Sequence, residues 1–235
     1  MLKVCDVDVD IEASRILRKV TLEAAPGELV CLIGRNGAGK TTTLRTVMGY
    51  RRPAAGTITL GGETIAGLPT HAIAARGVGY APEESGVFGD LTVAENIELA
   101  TWTRPGGRPA AERVARVYDV FPRLRGFAAR GGTQLSGGER KMLSIARALA
   151  LDAALLLLDE PFEGLSPAII PQLGESIAAI VRLGPAILLA ESNLHHVPVY
   201  ATRLYVIERG EIVFAGRPEE LRRRPDLARI IGQAL

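Results

Sequence analysis

Cysteine is nearly absent from this 235-residue chain: Cys5 and Cys31 are its only two, with no C-x-x-C spacing. That excludes a disulfide framework or a cysteine metal site. Both fall in apolar strand patterns, so buried, reduced thiols are expected, as suits a reducing cytoplasm. No apolar run approaches the ~20 residues needed to span a bilayer, and the first residues lack the basic-then-apolar layout of a signal peptide. If the chain works at a membrane, other chains supply the spans. Nor is there an internal repeat. The net charge of +2 and pI of about 8.7 are too mild to argue for nucleic acid as a partner. The arginines are dispersed apart from Arg222-Arg223-Arg224, which precede Pro225 in a helical-looking terminal region. A solvated face is the expectation there, with anionic lipid headgroups as the alternative. At 47% hydrophobic residues, the chain is long enough for one α/β domain with an attached subdomain.

What is present is more specific. Gly34-Arg35-Asn36-Gly37-Ala38-Gly39-Lys40-Thr41 fits the phosphate-binding pattern G-x-x-x-x-G-K-[ST]. The apolar Glu28-Leu29-Val30-Cys31-Leu32-Ile33 before it reads as a buried strand. After it, Leu44, Val47 and Met48 give a helix an apolar stripe, and Gly49 ends it. Glycines let the backbone curl so that successive N–H groups face a phosphate. Lys40 supplies a point charge for the β- and γ-phosphates, and the Thr41 hydroxyl suits Mg²⁺. Thr42 follows within the same anion-facing helix N-terminus, which begins near Gly39.

A second feature is Leu155-Leu156-Leu157-Leu158-Asp159-Glu160, an apolar run ending in two acids. A central parallel strand looks like this where it emerges at the ligand edge of a sheet. Such an ending is common as strand-to-loop punctuation. Beside a phosphate loop it reads instead as Asp159 reaching the Mg²⁺ shell and Glu160 facing the water that attacks the γ-phosphate.

Between the two lies Leu135-Ser136-Gly137-Gly138-Glu139, followed at once by residues 140–149 with helical apolar spacing. Ser136 is a natural N-cap, with Glu139 three residues on. The hydroxyl, two glycine N–H groups and the helix dipole converge there, making a second anion site.

These motifs, together with Gly79-Tyr80-Ala81-Pro82-Glu83, Leu91-Thr92-Val93-Ala94-Glu95-Asn96 and Glu163-Gly164-Leu165-Ser166-Pro167, occur in a set order and spacing. By them the chain resembles, over its whole length, the nucleotide-binding subunit of ATP-binding-cassette (ABC) transporters, and most closely those of bacterial branched-chain amino-acid importers. The resemblance implies an α/β phosphate-loop NTPase fold: an ABC-type ATPase core with a parallel-rich sheet, an N-terminal antiparallel β part and a helical signature subdomain. It implies one cassette over 1–235, with a nucleotide-binding core at about 1–83 and 152–235 and a helical arm at about 84–151. ATP and Mg²⁺ are the implied cofactors. Two cassettes, paralogues or copies, would face each other head to tail, so that Ser136, Gly137 and Gly138 serve the partner's ATP. Integral membrane permease subunits would meet the arm around Ser85-Gly86-Val87-Phe88-Gly89-Asp90, where exposed Val87 and Phe88 would form a docking patch or pack within the arm. An extracytoplasmic substrate-binding protein would take part indirectly. The implied place is the cytoplasmic face of the inner membrane, peripherally bound.

Three positions depart from the wider family pattern. Ile11 stands where many cassettes stack an aromatic on adenine; it can pack on the base without the aromatic contribution. Glu83 replaces the usual glutamine of the loop joining core and arm, as in the branched-chain subgroup, and adds a carboxylate that suits Mg²⁺. Ser192, within Glu191-Ser192-Asn193, occupies the place of the switch histidine and is the expected γ-phosphate contact. His195 and His196 sit about one helical turn too far along to replace it and are expected at the surface or against the arm; His71 is expected to be structural.

Periodicity and breakers complete the map. Strands and the phosphate-loop helix alternate to about Ala81, with a hairpin or tight turn at Gly61-Gly62. A mainly helical stretch follows, broken at residues 104–109 and at Gly131-Gly132. Core strands at Leu155 to Asp159 and Ala186 to Ala190 flank a helix, and Leu204 to Ile207 with Ile212 to Phe214 form a late strand pair. Two other readings remain: a soluble cassette protein without a transport role, and a regulatory cassette of weak catalysis, to which Ile11 and Ser192 point. Because Lys40 is the only lysine of the loop, Lys40→Ala should weaken MgATP binding more than loss of any other lysine, as titration with a fluorescent ATP analogue would register.

Overall fold

Strands that are apolar at every position must be covered on both faces, and this requirement organises the molecule. The computed structural model describes residues 1–104, 106–221, 223, 224, 226 and 227. Its central strands β3 (Leu29–Ile33), β7 (Leu155–Asp159) and β8 (Ala186–Glu191) are buried throughout. With β6 (Val78–Ala81), β9 (Arg203–Glu208) and β10 (Glu211–Gly216) they form a six-stranded sheet in the order β10-β9-β3-β8-β7-β6. All its pairs are parallel except β10 with β9.

Alternate residues feed two separate cores. Leu29, Cys31, Ile33, Leu156, Leu158, Ile187 and Leu189 face one side. Val30, Leu32, Leu155, Leu157, Leu188 and Ala190 face the other. That second side is covered by an antiparallel sheet, ordered β2-β1-β4-β5, of β1 (Leu2–Ile11), β2 (Ser14–Ala24), β4 (Ala55–Leu60) and β5 (Glu63–Thr64), and by helix α1 (Lys40–Val47). The β4–β5 connection is the two-residue turn Gly61-Gly62, with φ of 61° and 93°. Both values lie in the left-handed region that a type I′ hairpin demands. A short helix, α2 (Thr70–Ala75), precedes β6.

Between β6 and β7 the chain is helical: α3 (Val93–Thr101), α4 (Ala110–Val120), α5 (Pro122–Gly126), a 3₁₀ turn at Gly132–Gln134, and α6 (Gly137–Ala150). The starts of α3 and α6 are chemically marked. Thr92 with Glu95 and Ser136 with Glu139 each form a reciprocal capping box. Helices α7 (Ile170–Arg182) and α8 (Pro218–Leu221) and a 3₁₀ turn at Leu194–His196 complete the described elements. Among the described residues no helix is long and apolar enough to cross a membrane.

The parallel register decides where the site lies. Ile33 pairs with Glu191 and Asp159 with Ala190, so the residues leaving β3, β7 and β8 emerge side by side at one sheet edge.

Two readings of single residues change. Cys31 is buried, but Cys5 is exposed, because the alternation of β1 turns Val4 inward and Cys5 outward. His71 stands exposed on α2 and supports no core. Of the arginine triplet, Arg222 lies outside the described residues; Arg223 and Arg224 are exposed, and Arg224 pairs with Asp226 at 2.8 Å.

Helix α6 rides unusually close to β6. A Cβ on Gly79 would sit 2.5 Å from the Ala148 carbonyl oxygen and 2.9 Å from the Leu156 side chain. Gly79→Ala should therefore force α6 off the sheet and lower stability by about 1–3 kcal/mol. Urea denaturation checks this.

Candidate functional site

The phosphate loop starts where β3 passes β9 closely: a Cβ on Gly34 would come within 2.4 Å of the Ile207 carbonyl oxygen. Gly37 (φ 81°) and Gly39 (φ 114°) then supply the left-handed turns that launch α1, and Gly39 is its N-cap. Ala38 is buried, while Arg35, Asn36 and Gly37 are exposed on the loop's outer lip. Lys40 folds back under the loop. Its Nζ donates to the carbonyls of Gly34 (2.8 Å) and Arg35 (3.2 Å) and lies 3.1 Å from Glu160 Oε1.

Asp159 and Glu160 occupy the facing strand end. Thr41 Oγ1 donates to Asp159 Oδ1 and the Tyr80 hydroxyl to Asp159 Oδ2, each at 3.0 Å. Burial holds the pKa of Asp159 above the usual carboxylate range despite these two donors. Glu160 goes the other way. Burial pushes its pKa up, but hydrogen bonding with Glu163, Lys40 and Ser192 outweighs this and leaves it below its ordinary value. Ser192 Oγ donates to Glu160 Oε2 at 3.0 Å. The pKa of Glu163 is raised to about 7, chiefly by its hydrogen bond to Glu160 and then by burial. The two carboxyls titrate as a pair, with Glu160 ionising the more readily of the two.

The resulting cleft of 290 Å³ is lined by Asn36, Gly37, Gly39, Lys40, Thr41 and Thr42 on one side and by Glu83, Glu160 and Glu163 on the other. Glu83 is exposed at its rim. Not every sequence-derived residue gathers here. Ile11 is half-buried against the core of the antiparallel sheet and is not part of the cleft lining. Ser136, Gly137 and Gly138 open α6 elsewhere. Ser136 Oγ accepts from the Glu139 N–H at 3.3 Å, Glu139 Oε2 accepts from the Ser136 N–H at 2.8 Å, and Ser136 and Gly137 are exposed.

Behind the cleft lies a group that motif reading passes over. Glu191 is 0% exposed; its Oε1 accepts from the Phe162 N–H at 3.1 Å, and its Oε2 is 3.2 Å from His196 Nδ1. Burial raises its pKa to about 8 and lowers that of His196. A protonated Glu191 can thus donate to a neutral His196. His196 is half-buried, its ring 5.8 Å from that of Phe162, while His195 is exposed. The signal was an acid closing an otherwise apolar strand. Lys141 and Glu163, also unassigned by motif, needed the folded arrangement to be seen.

The oxygens of Thr41 and Asp159, already in contact, are the hard donors that Mg²⁺ prefers, and a buried carboxylate with a raised pKa gains from a cation. The residues fit the ion. Residues 17–163 match the ABC transporter family.

The chain belongs to that family.

ABC ATPase domains hydrolyse ATP and work as dimers with membrane permease components, so this chain is an ATP-binding, ATP-hydrolysing subunit. It is 41% identical over 198 residues to the high-affinity branched-chain amino acid transport ATP-binding protein BraG of Pseudomonas aeruginosa, covering 84% of each chain. It is 34% identical over 221 residues to the lipopolysaccharide export system ATP-binding protein LptB of Haemophilus influenzae, covering 93% of this chain and 91% of that one. Its fold matches an ATP binding subunit of an ABC transporter with a TM-score of 0.84 at 29% identity, over 97% of this chain and 94% of the other.

The raised pKa of Glu191 carries a stability consequence. Between about pH 4.5 and 8 the folded state binds the proton more tightly than the unfolded state, so this residue's contribution falls as pH rises through that window. Glu191→Gln removes the penalty. Relative to the parent, the variant should gain stability between about pH 5 and pH 8.5, on the order of a few kcal/mol, in paired denaturant melts.

Proposed function

We propose that this chain is the ATPase subunit of an importer for branched-chain amino acids. The reading is carried by one observation, the 41% identity to BraG across 84% of both chains. Amides or urea are the neighbouring cargo chemistries. A lipopolysaccharide export role is the second reading, favoured by the similarity to LptB. One cassette spans 1–235, with a nucleotide-binding core of about 1–83 and 152–235 and an arm of about 84–151.

In this reading the loop from Gly34 to Thr42 holds the triphosphate through backbone N–H groups and Lys40. An incoming polyanion competes with Glu160 for the Lys40 ammonium group, now 3.1 Å away. Glu160, released from that pair yet still held by Ser192, is the general base that orients the attacking water. Before nucleotide arrives, Glu163, Lys40 and Ser192 together hold its pKa below its ordinary value. Thr41 and Asp159, with Glu83 at the rim, hold Mg²⁺, which when bound offsets phosphate charge. Ser192 stands at the γ-phosphate position through a hydroxyl rather than an imidazole. Ile11 flanks the base. Ser136, Gly137 and Gly138 present an open helix N-terminus to the nucleotide of a second cassette, paralogue or copy.

The permease contact lies around Ser85 to Asp90. Support comes from a 400 Å³ groove beside it, where Tyr50 and Phe88 are exposed and Arg147 stacks 4.5 Å over the Phe88 ring. Among the described residues, Arg147 Nε is buried without a hydrogen-bond partner, a vacancy a partner acceptor could fill. The working place is the cytoplasmic face of the inner membrane, with an extracytoplasmic binding protein acting through the permease.

Two measurements test the reading. Glu160→Gln should retain ATP binding and lose hydrolysis by a factor of about 100 or more, since an amide cannot accept the proton. In proteoliposomes holding the cognate permease, ATP turnover should rise when binding protein loaded with leucine is present. Stimulation by lipopolysaccharide instead would move the assignment to export.

A further inference from the structure

Among the described residues, one hydrogen bond, from Lys141, joins the backbone of Glu160 to helix α6. Glu160 has a φ of 47°, a left-handed backbone that side-chain-bearing residues rarely adopt. Three hydrogen bonds hold its backbone there, one of them the 3.3 Å bond that its carbonyl accepts from the Glu163 N–H. Its N–H donates to the Ala190 carbonyl at 2.9 Å, a bond within the sheet. Its carbonyl accepts from Lys141 Nζ at 2.7 Å, and Lys141 belongs to α6.

Lys141 is half-buried, which lowers its pKa, and the Glu83 and Glu160 carboxylates face its charge, with Glu163 and Glu191 also near it. Its ammonium group is therefore drawn to this end of the cleft from several sides. It also lies five residues after Ser136, the N-cap of the same helix. Helix α6 is 14 residues long and carries a capping box at its start. A shift of the Ser136 end therefore displaces Lys141 with it, and the 2.7 Å bond passes the displacement to the backbone from which the Glu160 carboxylate projects.

We propose that Lys141 is a positioning residue that couples the seating of the signature helix to the orientation of Glu160 in the same chain. Contact made at Ser136 to Gly138 by a nucleotide held in a second cassette then aligns the base for this chain's own nucleotide. The proposal rests on the assignment of Glu160 as general base. It adds a link between the two sites of a head-to-tail pair that runs through one side chain and one carbonyl.

The test uses the intact ATPase with its permease partners. Lys141→Met keeps the apolar stem and removes the donor; kcat for ATP should fall about tenfold or more, with KM and the affinity for a fluorescent ATP analogue changed less than about twofold. Lys141→Arg keeps a donor and should recover most of the rate. Should Lys141→Met lose its cooperative melt, Lys141→Gln, too short to span the same gap, is read by the same split. A kcat within about twofold of the parent in the donor-less variant overturns the proposal. So does an equal loss in the Met and Arg variants, which would mark a purely packing role. Glu160→Gln is run alongside. If it is inactive while Lys141→Met turns over at the parental rate, only the coupling fails; if Glu160→Gln itself turns over at the parental rate, the base assignment fails first.

Discussion

The ion pair between Lys40 and Glu160 is the contact on which the site's state depends. Both side chains are almost fully withdrawn from water, at 3% and 5% exposure, with 3.1 Å between Nζ and Oε1. A buried pair of this kind adds little net stability, because desolvating two charges offsets most of their attraction, yet removing one partner leaves the other stranded at a cost of about 3–5 kcal/mol. Exchange is the inexpensive route. In the proposed mechanism a triphosphate that takes over Lys40 frees Glu160 while keeping the lysine neutralised, so one side chain would both recognise phosphate and restrain the carboxylate until phosphate arrives.

That exchange takes place amid an excess of carboxylates. Asp159, Glu160, Glu163, Glu83 and Glu191 stand in or near a cleft served by Lys40 and Lys141. The structure manages the repulsion by protonation and hydrogen bonding. Asp159 is held by two hydroxyl donors, Glu163 titrates as a pair with Glu160, and Glu191 keeps its proton to about pH 8 against His196. Only Glu160 is pushed toward a more stable charge. Divergent pKa values within one cluster set Glu160, the proposed base, apart from Asp159, Glu163 and Glu191.

The arm and the core are linked by close approach rather than by area alone. Gly79 brings α6 down onto β6, and Lys141 reaches from α6 to the Glu160 carbonyl. The same helix begins at Ser136, where its capping box leaves the N-terminus exposed. One helix therefore has an exposed N-terminus at Ser136 and, about a turn and a half later, a side chain bonded to the Glu160 backbone.

Much of this was legible in the chain itself. The phosphate loop, the acids after Leu158, the Ser136 cap and the paired late strands follow from local rules: glycine where φ is positive, apolar runs where both faces are covered, Ser with Glu three residues on where a helix starts. Cys5 was misread because a strand's alternation, and not its mean hydropathy, decides which side faces the core. His196 was not placed by sequence, because its setting depends on what packs beside it. Its bond to Glu191 spans five residues, but the buried surroundings that shift both groups come from Phe162 on another segment. Likewise the Ser192 to Glu160 bond joins residues 32 apart and the Lys141 to Glu160 bond residues 19 apart. Local pattern determines which elements form and which chemistry each can carry. Only the parallel register, which sets Ile33 beside Glu191 and Asp159 beside Ala190, decides which of those groups meet, because distances between strand ends depend on pairing and not on sequence separation.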